Sequence, residues 1–316
     1  LRLWFRRKAW FYLELNLALF RYGLFRTVAA VHANDLDTLP AGWALAKLKR
    51  VPLVYDAHEI FTEVPELISR PGVRRIWQWL ERRLVPHADL AFTVNTALVR
   101  WYANAYPNVP FQALYNLPFR QILEPEQHTP QPKRIILYQG SVNLGRGVEL
   151  MIDSVDYWPN DWVLWIIGEG DEYNACRARV SKHAYEPTRV VFWGKLPFEE
   201  LAPLTRQAWI GLSLEEDLGL NYRYATPNKV FDYIQAGVPV VVSQLPEMQQ
   251  IIEEHDVGWV LKDRTPKGLF NCLRTIATDS ELYKHKQNNT LLARERLCWE
   301  NESMVLVNGY KSILPP

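Results

Sequence analysis

The stretch Asn221-Tyr-Arg-Tyr-Ala-Thr-Pro-Asn-Lys-Val-Phe-Asp-Tyr-Ile-Gln-Ala-Gly-Val-Pro-Val-Val-Val242 decides the fold class. Pro227 suits the first turn of a helix, where its missing N–H costs nothing, and Gly237 suits the left-handed position that ends one. Val238 to Val242 then reads as a buried strand, a β-branched run without polar alternation. A helix that feeds straight into a buried strand is half of the repeating unit of a parallel sheet. Within the helix, Lys229 and Asp232 stand at i and i+3 and share a face. A cation and a carboxylate side by side near a helix start can hold a phosphate and a ribose diol; the plainer reading is a surface ion pair worth about 0–1 kcal/mol.

The same rhythm runs outward from this stretch. Short β-branched or aromatic runs recur at Val28–His32, Pro52–Tyr55, Leu90–Val94, Ile135–Tyr138, Val163–Ile167, Val190–Trp193 and Ile210–Leu214. Between them lie segments of helical period such as Arg74–Leu84, Val148–Tyr157 and Glu281–Leu297. The class is α/β, with parallel sheets covered by helices on both faces. Periodicity lapses once, from Pro118 to Lys133, where four prolines fall among Gln and Glu. That stretch reads as a linker over 119–133, between an N-terminal domain of 1–118 and a C-terminal one of 134–298.

A chain of 316 residues is long enough for two buried cores. Hydrophobic residues make up 48% and charged residues 22%, which excludes a disordered or fibrous chain. Lys plus Arg number 36 against 35 Asp plus Glu, a net charge of +1, so bulk charge argues for no nucleic-acid partner and any electrostatics must be local. Cys176, Cys272 and Cys298 are too few and too scattered for a disulfide framework or a metal site, which makes a reducing, cytoplasmic setting the default. Aromatic residues crowd the opening. The chain begins at Leu1 and is expected to be a fragment or processed form whose natural start lies upstream. From Leu3 to Phe25 it reads as a helix packed in its own domain. A helix lying in a membrane interface, with Arg6, Arg7 and Lys8 at the headgroups, is the second reading, and a signal peptide cleaved near Ala33 the third.

In open parallel sheets, ligands bind beyond the carboxyl ends of the strands. After Ile135–Tyr138 comes Gln139-Gly-Ser-Val-Asn-Leu-Gly-Arg-Gly147, opening into a helix at Val148. Glycines admit an anion to the backbone and Arg146 adds a bidentate donor, so a phosphate fits; a tight turn with a solvated Arg is the alternative. Gly140 and Gly145 have the spacing of a Walker loop, but Arg146 replaces its Lys and Gly147 its Ser or Thr, which excludes an ATPase of that type. Gly168-Glu-Gly-Asp171 is another strand-to-glycine turn, equally explained by geometry alone. In the first half, His58 and Glu59 follow a strand, where a histidine can orient a hydroxyl, stabilise developing charge or serve structure only. Asp35 and Asp37 form an Asp-X-Asp, but no third metal ligand is evident and Asp37 reads as the cap of the next helix.

Together these segments resemble the retaining glycosyltransferases of family 4, which have the GT-B fold of two Rossmann-like domains with parallel sheets facing across a cleft. The resemblance runs from about Val28 to Trp299-Glu-Asn-Glu-Ser-Met304 and Tyr310, and is most specific over Pro227–Val241. It implies a nucleoside-diphosphate sugar bound by the second half. Gly140, Ser141 and Arg146 would lie near the diphosphate with Gly168, Asn228 and Lys229 in the same site, and Asp232 would face the ribose. His58 matches the histidine placed beside the donor sugar, and the closing helix, 299–316, is expected to cross back onto the first domain. The chain departs from the family pattern in three ways. Asp232 and Tyr224 replace a pair of Glu, Ser141 replaces a basic residue, and the family's first strand and its acceptor loop are expected to be missing from a chain that starts at a later helix.

The function implied is transfer of a hexose from a UDP- or GDP-sugar to a glycan or lipid-linked acceptor with retention of configuration, without a metal or other cofactor, in surface polysaccharide assembly. The expected setting is the cytoplasm, with peripheral contact at the inner face of the membrane as the reading that suits a lipid-linked acceptor. Two competing readings are a nucleotide-sugar-binding subunit without catalysis and a nucleotide-sugar epimerase of the same fold.

Overall fold

The computed structural model describes residues 9–64, 67, 70–121, 133–183 and 185–315. Most of the proline-rich linker, and the basic cluster Arg6, Arg7 and Lys8, lie outside the described residues. The chain divides into two compact units. One comprises the residues up to Asn116 together with those from Glu302 onward, and the other runs from Leu117 to Asn301.

The first unit holds a four-stranded parallel sheet in the order β1 (Val31–Asn34), β2 (Leu53–Ala57), β3 (Leu90–Thr93), β4 (Phe111–Ala113). β2 and β3 are buried along their whole length, as expected of strands covered on both faces. The last helix, Trp299–Ile313, belongs to this unit from Glu302 onward. A Cβ on its Gly309 would lie 2.7 Å from the Phe92 ring, so only glycine lets the helix lie that close to β3. Its Glu302 accepts the Tyr115 amide at 2.7 Å. The aromatic opening forms a helix over Ala9–Leu24 whose Asn16 side chain ties it to the helix Asp35–Lys49, accepting from the Ala41 amide at 2.9 Å. Trp10, Leu13 and Leu17 remain exposed along one stripe, and Phe25 just beyond is 86% exposed. Among the described residues no helix is long and apolar enough to cross a membrane.

The second unit is a six-stranded parallel sheet in the order β10-β9-β8-β5-β6-β7, with β5 Arg134–Gln139, β6 Trp162–Ile167, β7 Val190–Gly194, β8 Ile210–Ser213, β9 Val240–Ser243 and β10 Gly258–Leu261. Renumbered from its first strand, this is the doubly wound order 3-2-1-4-5-6, which reverses direction between β5 and β8. Those two strands pair only at Ile136 with Ile210 and Leu137 with Gly211. Beyond that point they no longer pair, and their carboxyl ends mark the switch point at which the crevice of a doubly wound sheet lies.

The deciding stretch folds as a short helix, Asn228–Gln235, followed by β9. Pro227 is the residue before the helix, in extended conformation, rather than part of its first turn; its ring fixes φ, here −63°, but leaves ψ free, so it suits either position. Gly237 has φ +74°, with the Val238 amide donating to Tyr233 O at 2.9 Å and the Gly237 amide to Ile234 O at 3.1 Å. This is the reciprocal pair of bonds by which a left-handed glycine ends a helix.

Candidate functional site

The crevice between β5 and β8 has a polar floor. Tyr233, fully buried on the helix Asn228–Gln235, places its hydroxyl where the two strands part. It accepts from the Gln139 amide at 3.0 Å and has the carbonyls of Leu137 and Leu212 at 3.2 and 3.3 Å for its own proton. A Cβ on Gly211 would lie 2.4 Å from its ring, so β8 needs glycine there. Tyr233→Phe would leave the buried Gln139 N–H without an acceptor, and a loss of about 1–3 kcal/mol is expected. Urea unfolding measures it as a lower midpoint at unchanged slope; a loss below about 0.5 kcal/mol would show that the hydroxyl does not bridge the strands.

The loop after β5 is shaped by close backbone contacts. Gly140 has φ +133°, and its amide donates to Ile167 O at 2.9 Å. A Cβ on Gly168 would lie 1.9 Å from Gly140 O, so Gly168 serves as the seat on which this loop rests. A Cβ on Gly147 would meet Leu214 O at 2.2 Å, which presses the start of the helix Val148–Ser154 against the chain leaving β8. Gly140 and Ser141 are exposed at the crevice.

Two cations, Lys229 and Arg146, converge on Glu215, and Lys229 lies beside Gly140. The Lys229 ammonium lies 4.4 Å from the Tyr138 ring centroid, and a Cβ on Gly140 would come within 3.1 Å of its Cε. Lys229 is buried and donates to Oε1 of Glu215 at 2.7 Å. Glu215 has a fully buried side chain just past β8; its Oε2 accepts from Ser213 Oγ at 2.7 Å, and Arg146 Nη1 stands 3.7 Å from Oε1. Burial alone would raise the Glu215 carboxyl, but the charge and hydrogen bond of Lys229, the Ser213 hydroxyl and Arg146 together hold it below its ordinary value. Arg146 stacks on the Tyr222 ring at 5.4 Å, and its Nε is buried with no hydrogen-bond partner. An unsatisfied buried guanidinium N–H at the mouth of a crevice is a donor that an anion can complete.

Asp232, one turn along the helix from Lys229, has a different partner. Gln139 Nε2 donates to its Oδ2 at 2.9 Å, and Thr205 Oγ1 donates to Gln139 Oε1 at 2.7 Å. Burial pushes the Asp232 carboxyl up to about 6, against the Gln139 hydrogen bond and the charge of Lys229. On the reading that Asp232 accepts from a ribose diol, the ionised carboxylate is the stronger acceptor. The affinity for a nucleoside-diphosphate sugar, whose diphosphate has no group titrating nearby, is then expected to rise as pH increases through about 6. Calorimetric titration of UDP-glucose across that range should show the rise, and Asp232→Asn should abolish it. A wild-type affinity flat with pH would remove Asp232 from the site.

In the first unit, Asp56 at the end of β2 bridges two histidines, with its Oδ2 3.3 Å from Nε2 of both His32 and His58. Burial opposes its charge, yet the hydrogen bonds and charges of the two imidazoles hold its carboxyl at about 2. His58 is raised by its hydrogen bond to Asp56, against burial and with help from the charges of Asp56, Asp35 and Glu59. The His58 amide donates to Asp35 Oδ1 at 2.9 Å, and Asp35 itself has φ +58°, an unusual conformation for a residue other than glycine. Tyr310 on the last helix meets His32 Nδ1 at 2.7 Å.

Residues 133–279 match the family model for glycosyl transferases group 1, and residues 1–114 match that for the glycosyl transferase 4-like domain. The chain belongs to the group 1 glycosyltransferases. No curated protein sequence matches it. Among solved structures it is similar to the Anabaena protein Alr3699/HepE in complex with UDP, at 16% identity and a TM-score of 0.75, covering 96% of this chain and 82% of that one. It is similar to sucrose-phosphate synthase from Thermosynechococcus elongatus at 17% and 0.76, covering 95% and 77%. A third is WaaG, a glycosyltransferase involved in lipopolysaccharide biosynthesis, at 14% and 0.64, covering 92% and 95%. These likenesses are of fold.

The second unit of this glycosyltransferase thus brings Gly140, Ser141, Arg146, Lys229 and Asp232 to one crevice, with Gly168 behind the loop and Asn228 exposed at the first position of the helix. His58 lies in the other unit. The i, i+3 pairing of Lys229 with Asp232 as a surface ion pair does not form, since each side chain points to its own partner. Asp37 is not a cap: the helix begins at Asp35, and Asn34 precedes it. Glu215 was not singled out by sequence reasoning. Its signal was a run of acidic residues, Glu215-Glu216-Asp217, directly after a strand whose end faces the crevice.

Proposed function

We propose that the chain transfers a hexose from a UDP- or GDP-sugar to a glycan or lipid-linked acceptor with retention of configuration. The observation that carries this reading is the pair of cations, buried Lys229 and Arg146 with its unsatisfied Nε, beside a glycine-lined loop at the switch point of a doubly wound sheet. A diphosphate seated over Gly140 and Ser141 would take up these donors, and Asp232 would accept from the ribose. The UDP complex of Alr3699/HepE supports a uridine nucleotide as the first donor to try.

In the reaction the bond from the anomeric carbon to the diphosphate oxygen breaks, and the acceptor oxygen bonds to that carbon on the same face. The acceptor proton passes to the departing phosphate oxygen. Arg146 and Lys229 are aimed where negative charge grows, so preorganised donors supply stabilisation that a metal would otherwise give. His58 is assigned to the transferred sugar. The exposed Trp10, Leu13, Leu17 and Phe25 support peripheral contact with the inner face of a cytoplasmic membrane, where a lipid-linked acceptor of surface polysaccharide assembly would reside.

The test is incubation of the chain with UDP- and GDP-hexoses, with acceptors offered as free glycans and as lipid-linked sugars in anionic vesicles. Donor-dependent glycoside formation that persists with chelator supports the reading. Isomerised sugar without acceptor would make the chain an epimerase, and binding without turnover would make it a donor-binding subunit.

A further inference from the structure

We propose that Glu215 is a positioning residue of the donor site, holding the Lys229 ammonium beside Gly140, and that Arg264 fixes Glu215 in turn. The inference rests on the donor reading above and adds to it two residues that touch no donor atom.

A carboxylate next to an anion site should, by charge alone, weaken anion binding. The geometry assigns Glu215 the opposite effect. Lys229 is buried against the Tyr138 ring, and Glu215 Oε1, at 2.7 Å, is a full counter-charge within hydrogen-bond reach of its ammonium. Without that charge a buried ammonium is strongly disfavoured, and the flexible lysine stem is free to carry it out toward water. With it, one N–H is anchored and the remaining N–H groups stay beside Gly140.

Glu215 is itself clamped. Arg264, which follows β10, donates through Nη1 to Leu214 O at 2.8 Å, Glu215 O at 3.0 Å and Ser243 Oγ at 3.0 Å, and through Nη2 to Glu216 Oε1 at 3.1 Å. One guanidinium thus ties the carboxyl ends of β8, β9 and β10 together. From the other side the Glu216 amide donates to Gly145 O at 2.8 Å, and Gly147 packs against Leu214 O. The turn 214–216 is therefore a fixed shelf between the glycine loop and Arg264. On this shelf only the carboxylate of Glu215 turns inward to Lys229, while Glu216 faces Arg264.

Calorimetric titration of the full chain with UDP and GDP, and with uridine and guanosine as controls, tests the assignment. Glu215→Gln is expected to lower diphosphate affinity about tenfold and leave nucleoside affinity within about twofold. Arg264→Gln should act in the same direction by about threefold or more, and it covers the case in which Glu215→Gln fails to fold. In a Lys229→Gln background, Glu215→Gln should cost no further affinity, because its effect acts through the lysine. Unchanged or tighter diphosphate binding by Glu215→Gln, or a loss that simply adds to that of Lys229→Gln, would overturn the proposal. Loss of binding in Lys229→Gln but in neither Glu215→Gln nor Arg264→Gln would overturn it while leaving the donor reading intact. A wild-type chain that binds neither nucleotide would sink both.

Discussion

Lys229→Gln is expected to lower the affinity for UDP or GDP about a hundredfold while leaving uridine and guanosine binding nearly unchanged. A hydrogen bond to a charged group contributes about 1.5–3 kcal/mol, and the upper end applies where the donor is buried. Lys229 meets that condition, since its ammonium sits against an aromatic ring and a carboxylate and away from bulk water. Arg146→Ala should cost less, about tenfold, because the Arg146 side chain is 30% exposed and its charge is partly screened. The Lys229 variant carries a second effect that must be separated from the first. It leaves Glu215 buried without its main counter-charge, for which a stability loss of about 3 kcal/mol is expected. Pairing it with Glu215→Gln removes the stranded charge, so thermal stability should recover while diphosphate affinity stays low. Titration and thermal unfolding on the three variants measure both quantities. Recovery of affinity along with stability would mean that Lys229 serves the fold and not the ligand.

The elements legible in the sequence were those whose signal is local. Each of the eight β-branched or aromatic runs became a strand, shifted by up to three residues at the ends; β2, β3, β8 and β9 are buried along their whole length, which demands a continuous apolar run. β4 and β10 escaped notice. They have three and four residues at the sheet edges, and β10 opens with a glycine at which a Cβ would lie 2.0 Å from Val240 O, too little sequence for a periodicity to show. The candidate site divides along the same line. Gly140, Arg146 and Lys229 stand in motifs a few residues long, each next to a strand or helix end. Glu215 becomes Lys229's partner because the chain leaving β8 turns back and brings the start of the helix Asn228–Gln235 against the strand's end, a contact across 14 residues that no helix or strand period encodes. The link from Asp232 through Gln139 to Thr205 is of the same kind, joining one helix to a strand end and to a second helix. Arg264 was hidden for a further reason: two of its four polar contacts are with backbone carbonyls, which any residue at those positions can offer.

His58→Ala is expected to lower turnover by about 100- to 1,000-fold with nucleotide affinity unchanged within about twofold, because on the proposed reading it acts on the transferred sugar while Lys229 and Arg146 bind the diphosphate. The surroundings of His58 indicate how it is tuned. Asp56 gives up its own protonation almost entirely, its carboxyl held at about 2, and its hydrogen bond, then its charge, raise His58. Asp35 reinforces the arrangement by accepting the His58 amide, at the cost of a left-handed backbone at its own position. Asp56→Asn keeps a hydrogen-bonding group of similar shape but removes the charge, so the His58 imidazolium loses its main stabiliser and gives up its proton at lower pH. The pH profile of turnover then has a defined sign. If the charged imidazolium is the working form, activity is lost as pH rises through the His58 value, and this alkaline limb moves to lower pH in Asp56→Asn. If the neutral ring works, the acid limb makes the same movement and activity extends further into acid. His32 shares Asp56, and its Tyr310 contact does not involve His58, so Tyr310→Phe serves as the control that disturbs the cluster without uncharging it. A profile that moves equally in Tyr310→Phe, or stays fixed in Asp56→Asn while His58→Ala remains inactive, would assign His58 to shape alone and not to charge.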